Sequence, residues 1–218
     1  MNNFVGINSD PRYKEKLVEL ISSADIPARW RGTPIEQIIQ AQNFGYPLHP
    51  QPQPTVLIAS CMEFRYALPV PANYAYVIRT PGGRLLGAEL AIGYVLSRGV
   101  TNVLLIAHND CGMTHLVERS AAIVDAFVAQ GWSRPKAEQF VQAQIAKQGI
   151  HDELDALEQE YHRLKGLFKQ VHVAPLFLTL SDRKVYIPRW YIDFIAFEAT
   201  QGNSGIEKVR DSDVQALF

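Results

Sequence analysis

Cys61, His108 and Cys111 are the residues whose types and spacing invite chemistry first. They are a pair of thiols and an imidazole in "CMEFR" (61–65) and "HNDCG" (108–112), and the chain has no other cysteine. Two thiolates and one imidazole make a three-ligand zinc set with an open fourth position, the arrangement of catalytic rather than closed structural zinc. Two cysteines fifty positions apart are too few for a disulfide framework, which leaves metal binding, nucleophilic chemistry or plain burial. Taken singly, each has a bland reading, because a free cysteine is often a small buried hydrophobe. Glu63 and Arg65 follow Cys61 in alternation, so an extended segment would point all three the same way. A carboxylate held by a guanidinium beside a metal is a common supporting arrangement.

The elements that must bring these residues together follow from hydrophobic pattern. "TVLIAS", "NVLLIA" and, more roughly, "YAYVIR" are apolar runs of strand length without alternation, which predicts strands buried on both faces of a parallel sheet. "LGAELAIGYVLSRG" has helical spacing and ends in glycine, giving a strand, helix, strand order. Cys61 and His108 then both stand at carboxyl ends of neighbouring strands, where open α/β sheets form their binding crevices. The turn at 109–110 lets Cys111 reach the same point. "VHVAPLFLTL" and "KVYIP", separated by a turn, predict a hairpin at the sheet edge.

Further elements complete the expectation. "SDPRYKEKLVELISSAD" reads as a helix capped by Ser9 or Asp10 with Pro11 in its first turn, and "TPIEQIIQAQ" as a second, short helix. The proline-rich "YPLHPQPQP" is a connector. "GMTHLVERSAAIVDAFVAQG" reads as a helix bounded by glycines, and the charged stretch after it as solvated helix faces. The organisation is therefore residues 1–50 as an N-terminal helical arm and connector, and residues 51–218 as an α/β zinc-binding domain. The fold class is α/β, a mainly parallel, mixed sheet flanked by helices.

Composition narrows the partners. With 47% hydrophobic and 20% charged residues, the 218-residue chain has a globular profile. A formal net charge of -1 offers no global attraction for nucleic acid or an anionic membrane. No apolar run approaches the roughly 18 residues of a membrane span, and the N-terminus has no signal core, so the expected location is the cytoplasm. Gly82 and Gly83 supply a tight turn rather than a phosphate loop, since "TPGGRLLG" lacks a G-K-[ST] ending. His115 is either a proton carrier near the site or an ordinary surface histidine. Phe64, Tyr66 and Tyr74 line a pocket or pack the core.

"CMEFR" and "HNDCG", separated by "YVIRTPGG", together resemble the β-class carbonic anhydrases, whose pattern is C-x-D-x-R, an R-N-A-G type loop and H-x-x-C-G. The resemblance covers about residues 54 to 120, with "VAPLFLTLSDRKVYI" similar to a late strand pair of that family. It implies a zinc-dependent lyase with Cys61, His108 and Cys111 as zinc ligands. Glu63 would orient the zinc-bound hydroxide that hydrates carbon dioxide to bicarbonate, and Arg65 would hold Glu63. It also implies a homodimer or higher even oligomer in which the N-terminal arm lies across a neighbour. The chain departs from the pattern in having Glu63 for aspartate, Ala107 for glycine, and Thr80 and Pro81 in the loop. Members of the same fold hydrolyse carbon disulfide or carbonyl sulfide, and a noncatalytic zinc protein would carry the same ligands. The longer Glu63 would either stay paired with Arg65 or reach the zinc and close its open position.

Overall fold

A computed structural model describes residues 10–200. Six strands form one sheet in the order β1-β6-β5-β4-β2-β3. They are β1 (Leu17–Val18), β2 (Val56–Cys61), β3 (Ala75–Thr80), β4 (Asn102–His108), β5 (His172–Leu178) and β6 (Val185–Pro188). The strands β3, β2, β4 and β5 run parallel, and β6 and β1 join antiparallel. Every residue of β2 is buried, as are all of β4 after Asn102 and all of β5 after His172. Unalternated apolar runs are thus covered on both faces, each buried aliphatic side chain contributing about 1.5 to 3 kcal/mol.

Among the described residues, six α-helices flank the sheet: α1 (Pro34–Phe44), α2 (Glu89–Ser97), α3 (Ser120–Ala129), α4 (Arg134–Gln148), α5 (Glu153–Leu167) and α6 (Arg189–Thr200). Local chemistry sets their ends. Thr33 caps α1 by accepting from the Ile35 amide, Pro34 occupies its first turn, and Gly45 ends it in a left-handed conformation. Asp152 caps α5 by accepting from the amides of Leu154 and Asp155. The pair α3 and α4 builds a small core of its own around Val124, Ala137 and Val141.

The N-terminal arm differs from expectation. No α-helix forms over residues 10–25; a turn leads into β1, which pairs Leu17 with Pro188 and Val18 with Ile187, and a single 3-10 turn (Ser23–Asp25) follows. A helix there would have to bury Ile21, which is 82% exposed, whereas Leu17 and Leu20 enter the main core as an extended segment allows. Tyr13, Trp30, Ile35, Ile38 and Ile39 join the same core, so the described arm packs on the sheet of its own chain. Ser9, the other proposed cap, lies outside the described residues. The β5–β6 hairpin exists, but β1 covers it, and the exposed edge on the other side is β3. After Cys111 the chain makes a short 3-10 turn (Gly112–His115) before α3, later than the glycine-bounded helix the pattern predicts. Among the described residues, no helix is long and apolar enough to cross a membrane.

Candidate metal centre

The parallel pairing of β2 with β4 brings Cys61 and His108 to the same end of the sheet. Asp110 then takes a left-handed turn (φ 55°) that folds Cys111 back beside them. Asn109 fixes this turn, its side-chain oxygen accepting from the Leu180 amide at 2.8 Å. From the other side Gly82 and Gly83 adopt positive φ, and a Cβ on Gly83 would lie 3.1 Å from the Ile106 carbonyl oxygen and 3.3 Å from the Cys61 nitrogen. Only glycine fits that approach, which explains the "PGG" turn.

The ligand atoms of Cys61, His108 and Cys111 all lie within 4.8 Å of one another, and all three residues are buried. Two features of this chain test whether a metal fits. The two Sγ atoms are 3.8 Å apart, the edge of a tetrahedron whose metal–sulfur bonds are about 2.3 Å. His108 Nδ1 lies 2.9 Å from the Asn109 carbonyl oxygen, which fixes the tautomer that donates there and leaves the lone pair on Nε2. That Nε2 is buried and has no hydrogen-bond partner. A buried acceptor of this kind carries a desolvation cost that a cation would remove. Two thiolates and an imidazole are donors that suit a soft or borderline ion such as zinc.

Charge leads to the same conclusion. The Cys111 thiol beside Cys61 lowers the Cys61 pKa, and the same contact raises that of Cys111. A divalent ion would take both sulfurs as thiolates. Ile150, Ala156 and Met113 pack around the two cysteines and keep the site apolar.

Glu63 and Arg65 meet, though not as an extended strand would place them. The strand ends at Cys61, and the following bend wraps Glu63 back on Arg65. Glu63 Oε1 accepts from the Arg65 amide and Nε, each at 2.7 Å, and Oε2 accepts from Nη2 at 2.7 Å. Oε2 is also 3.8 Å from His108 Nε2. Arg65 in turn binds the Asp110 carboxylate at 2.6 Å and the Asp110 carbonyl at 2.9 Å, tying the Glu63 bend to the Cys111 turn.

These bonds, led by those from the Arg65 side chain, hold the Glu63 carboxyl down at about 2. A carboxyl depressed in the folded state adds stability above its unfolded pKa, and that stability is lost as pH falls through the folded value. In chelated protein, the loss of stability between about pH 4.5 and 2 should be smaller in Glu63→Gln than in the native chain. Denaturant melts at pH 5, 4 and 3 check this; parallel curves would show that the pair is not formed.

Two residues of the site had no place in the sequence reading. Arg79, just before the glycine turn, donates from Nε to the Cys61 carbonyl at 3.1 Å and from Nη2 to the Glu63 carbonyl. Glu153 is buried, accepting from the Cys111 amide at 3.1 Å and the Tyr13 hydroxyl at 3.2 Å. Other candidates separate: Tyr74 is core, its hydroxyl bound to Gln37, Phe64 is 90% exposed, and Tyr66 is buried. His115 is on the surface, 3.1 Å from Glu118.

No protein-family model matches the chain, and no curated protein matches it significantly. Solved structures do. β-Carbonic anhydrase isoform I of Trichomonas vaginalis superposes with a TM-score of 0.54 at 18% identity, covering 68% of this chain and 91% of its own. A carbonic anhydrase from Glaciozyma antarctica gives 0.48 at 20%, covering 77% and 99%. An apo carbon disulfide hydrolase gives 0.47 at 15%, covering 79% and 93%. The first of these establishes the architecture: the chain has a β-carbonic anhydrase-like fold, and at its strand ends stands a Cys-His-Cys group that can bind a metal.

Proposed function

We propose that the protein is a zinc enzyme that reversibly hydrates carbon dioxide to bicarbonate. The observation that carries this reading is the combination of a buried Cys61, His108, Cys111 donor set with an ionised carboxylate, Glu63, whose Oε2 is 3.8 Å from His108 Nε2. Cys61 Sγ, His108 Nε2 and Cys111 Sγ would hold the zinc. Such an ion supplies Lewis acidity that makes water a nucleophile near neutral pH.

The chain's own groups do the rest. Glu63 Oε2 accepts a hydrogen bond from the attacking water and directs its lone pair at the carbon of carbon dioxide. Arg65 keeps Glu63 ionised and fixed, so that the carboxylate orients the water. Thiolate ligands donate more charge than imidazoles and make the water less acidic, which gives this acceptor its value. The apolar packing of Ile150, Met113 and Ala156 suits a small uncharged substrate. The balance is carbon dioxide plus water to bicarbonate plus one proton, the proton leaving to solvent buffer.

Association into a homodimer or larger even assembly belongs to the same proposal. Its support is the open edge of β3, where Val77 is half exposed, next to α2, where Leu90 is 88% and Tyr94 60% exposed. Light scattering at micromolar concentration should return an even multiple of the chain mass, and a monomer mass would count against it.

Stopped-flow carbon dioxide hydration on protein of verified zinc content, at pH 7 and pH 8.5, tests the activity. Turnover that chelation removes and zinc restores is expected. Zinc-loaded protein silent at both pH values would sink the reading. A parallel assay of sulfide release from carbon disulfide and carbonyl sulfide identifies the hydrolase alternative.

A further inference from the structure

A cavity lies at the opposite end of the sheet from the metal centre. His172 begins β5, whereas Leu178, at its far end, pairs with His108. The two are six positions apart along the strand, roughly 20 Å. The cavity has a volume of about 140 Å³ and is formed between α5, α6 and the Ala28–Trp30 turn. Trp30 and Tyr191, both buried, stack at 5.1 Å and form its aromatic wall.

Its polar lining is rich in donors and poor in acceptors. Lys165 is fixed by donating to the carbonyls of Lys169 at 3.2 Å and Val171 at 2.9 Å, which leaves one N–H and the whole positive charge. Arg29, also on the lining, donates through Nη2 to Glu198 at 2.8 Å and interacts with the Tyr191 hydroxyl. His162 and His172 add two imidazoles. His162 has one carboxylate of its own helix nearby, Glu158 at 3.9 Å. Within the lining, Glu198 alone opposes two fixed cations. Burial pulls the Lys165 pKa down, as expected for an ammonium against a low-dielectric wall, where an anion's attraction is strengthened.

We propose that this cavity binds a small oxyanion, a phosphate-like or carboxylate ion, held by Arg29 and Lys165 against the Trp30 wall. The volume is well below the roughly 300 Å³ at which pockets for larger organic ligands begin, so it suits an ion of a few heavy atoms. Glu198 is the competitor: it occupies one face of Arg29 and weakens an anion alongside. The site is independent of the zinc reading and stands or falls separately from it.

Isothermal titration of the full chain with inorganic phosphate and, separately, sodium acetate tests the assignment. Saturable one-to-one binding of at least one ion is expected, phosphate alone marking a tetrahedral site and acetate a carboxylate site. Arg29→Gln should weaken it at least tenfold, and Glu198→Gln should tighten it about threefold or more, a sign that general loosening of the fold would not produce. Binding should persist after chelation of metal. No saturable binding of either ion, equal affinity in all three proteins, or binding that disappears with the metal would overturn the assignment.

Discussion

Replacing Cys61 and Cys111 together by alanine is expected to lower bound zinc from about one ion per chain to background. Structural zinc sites bind with apparent free energies of about 10 to 16 kcal/mol at neutral pH, and thiolates are the strongest donors of this set. The described residues hold one group of three close histidine, cysteine or acidic ligand atoms, so no second cluster there can take over. The alanines fill nearly the same apolar space beside Ile150 and Ala156, which preserves the packing. Metal analysis after gel filtration reads the result, and full zinc in the double variant would remove the site from the account.

Arg65→Ala should have the second large effect. It strips two side-chain hydrogen bonds from Glu63, whose side chain is 5% exposed, leaving only the bond from the residue 65 amide, and releases Asp110. Breaking a fully buried pair costs about 3 to 5 kcal/mol; the Arg65 side chain is 38% exposed, so water replaces part of it and about 2 kcal/mol is expected. Hydration should fall by at least tenfold, because the freed carboxylate, already 3.8 Å from His108 Nε2, can turn toward the metal and block it. Glu63→Asp, by contrast, keeps a carboxylate within reach of Arg65 and should change activity modestly. A tenfold rise in Glu63→Asp, about 1.4 kcal/mol of barrier, would mean that Glu63 closes the site in the native chain. An Arg65→Ala variant as stable and active as the native protein would contradict the pairing.

Much of the architecture was legible because burial on both faces leaves a plain mark. "TVLIAS" and "NVLLIA" have no polar alternation, and both become central strands. The meeting of Cys61, His108 and Cys111 was legible for a related reason, since strand ends are fixed by the strands. The arm was misread because Leu17, Val18, Leu20 and Ile21 satisfy a helical period, while what decides their conformation is pairing with Ile187 and Pro188, far along the chain. Helix α6 was overlooked: it begins directly after Pro188, where β6 ends, with no intervening loop to announce it.

The supporting residues were less visible. Glu153 sits in a charged stretch that resembles a solvated helix face, and only the Cys111 amide and the Tyr13 hydroxyl, 42 and 140 positions away, make its burial possible. Glu160 is similar, accepting from the Leu85 amide and paired with Arg163. Arg79 was hidden behind the glycines that follow it, whose turn was read for its backbone alone. Asp110 was expected to shape a turn and does so, but its bond to Arg65 depends on the bend after Cys61, which broke the alternation assumed for 61–65.

X-ray absorption at the zinc edge of the purified protein tests the central claim most directly. Two sulfur scatterers at about 2.3 Å and one imidazole nitrogen at about 2.0 to 2.1 Å, with one further light atom, are predicted. His108→Ala should remove the imidazole signal while both sulfurs remain. A zinc coordinated without sulfur, or with sulfur from only one cysteine, would contradict the account.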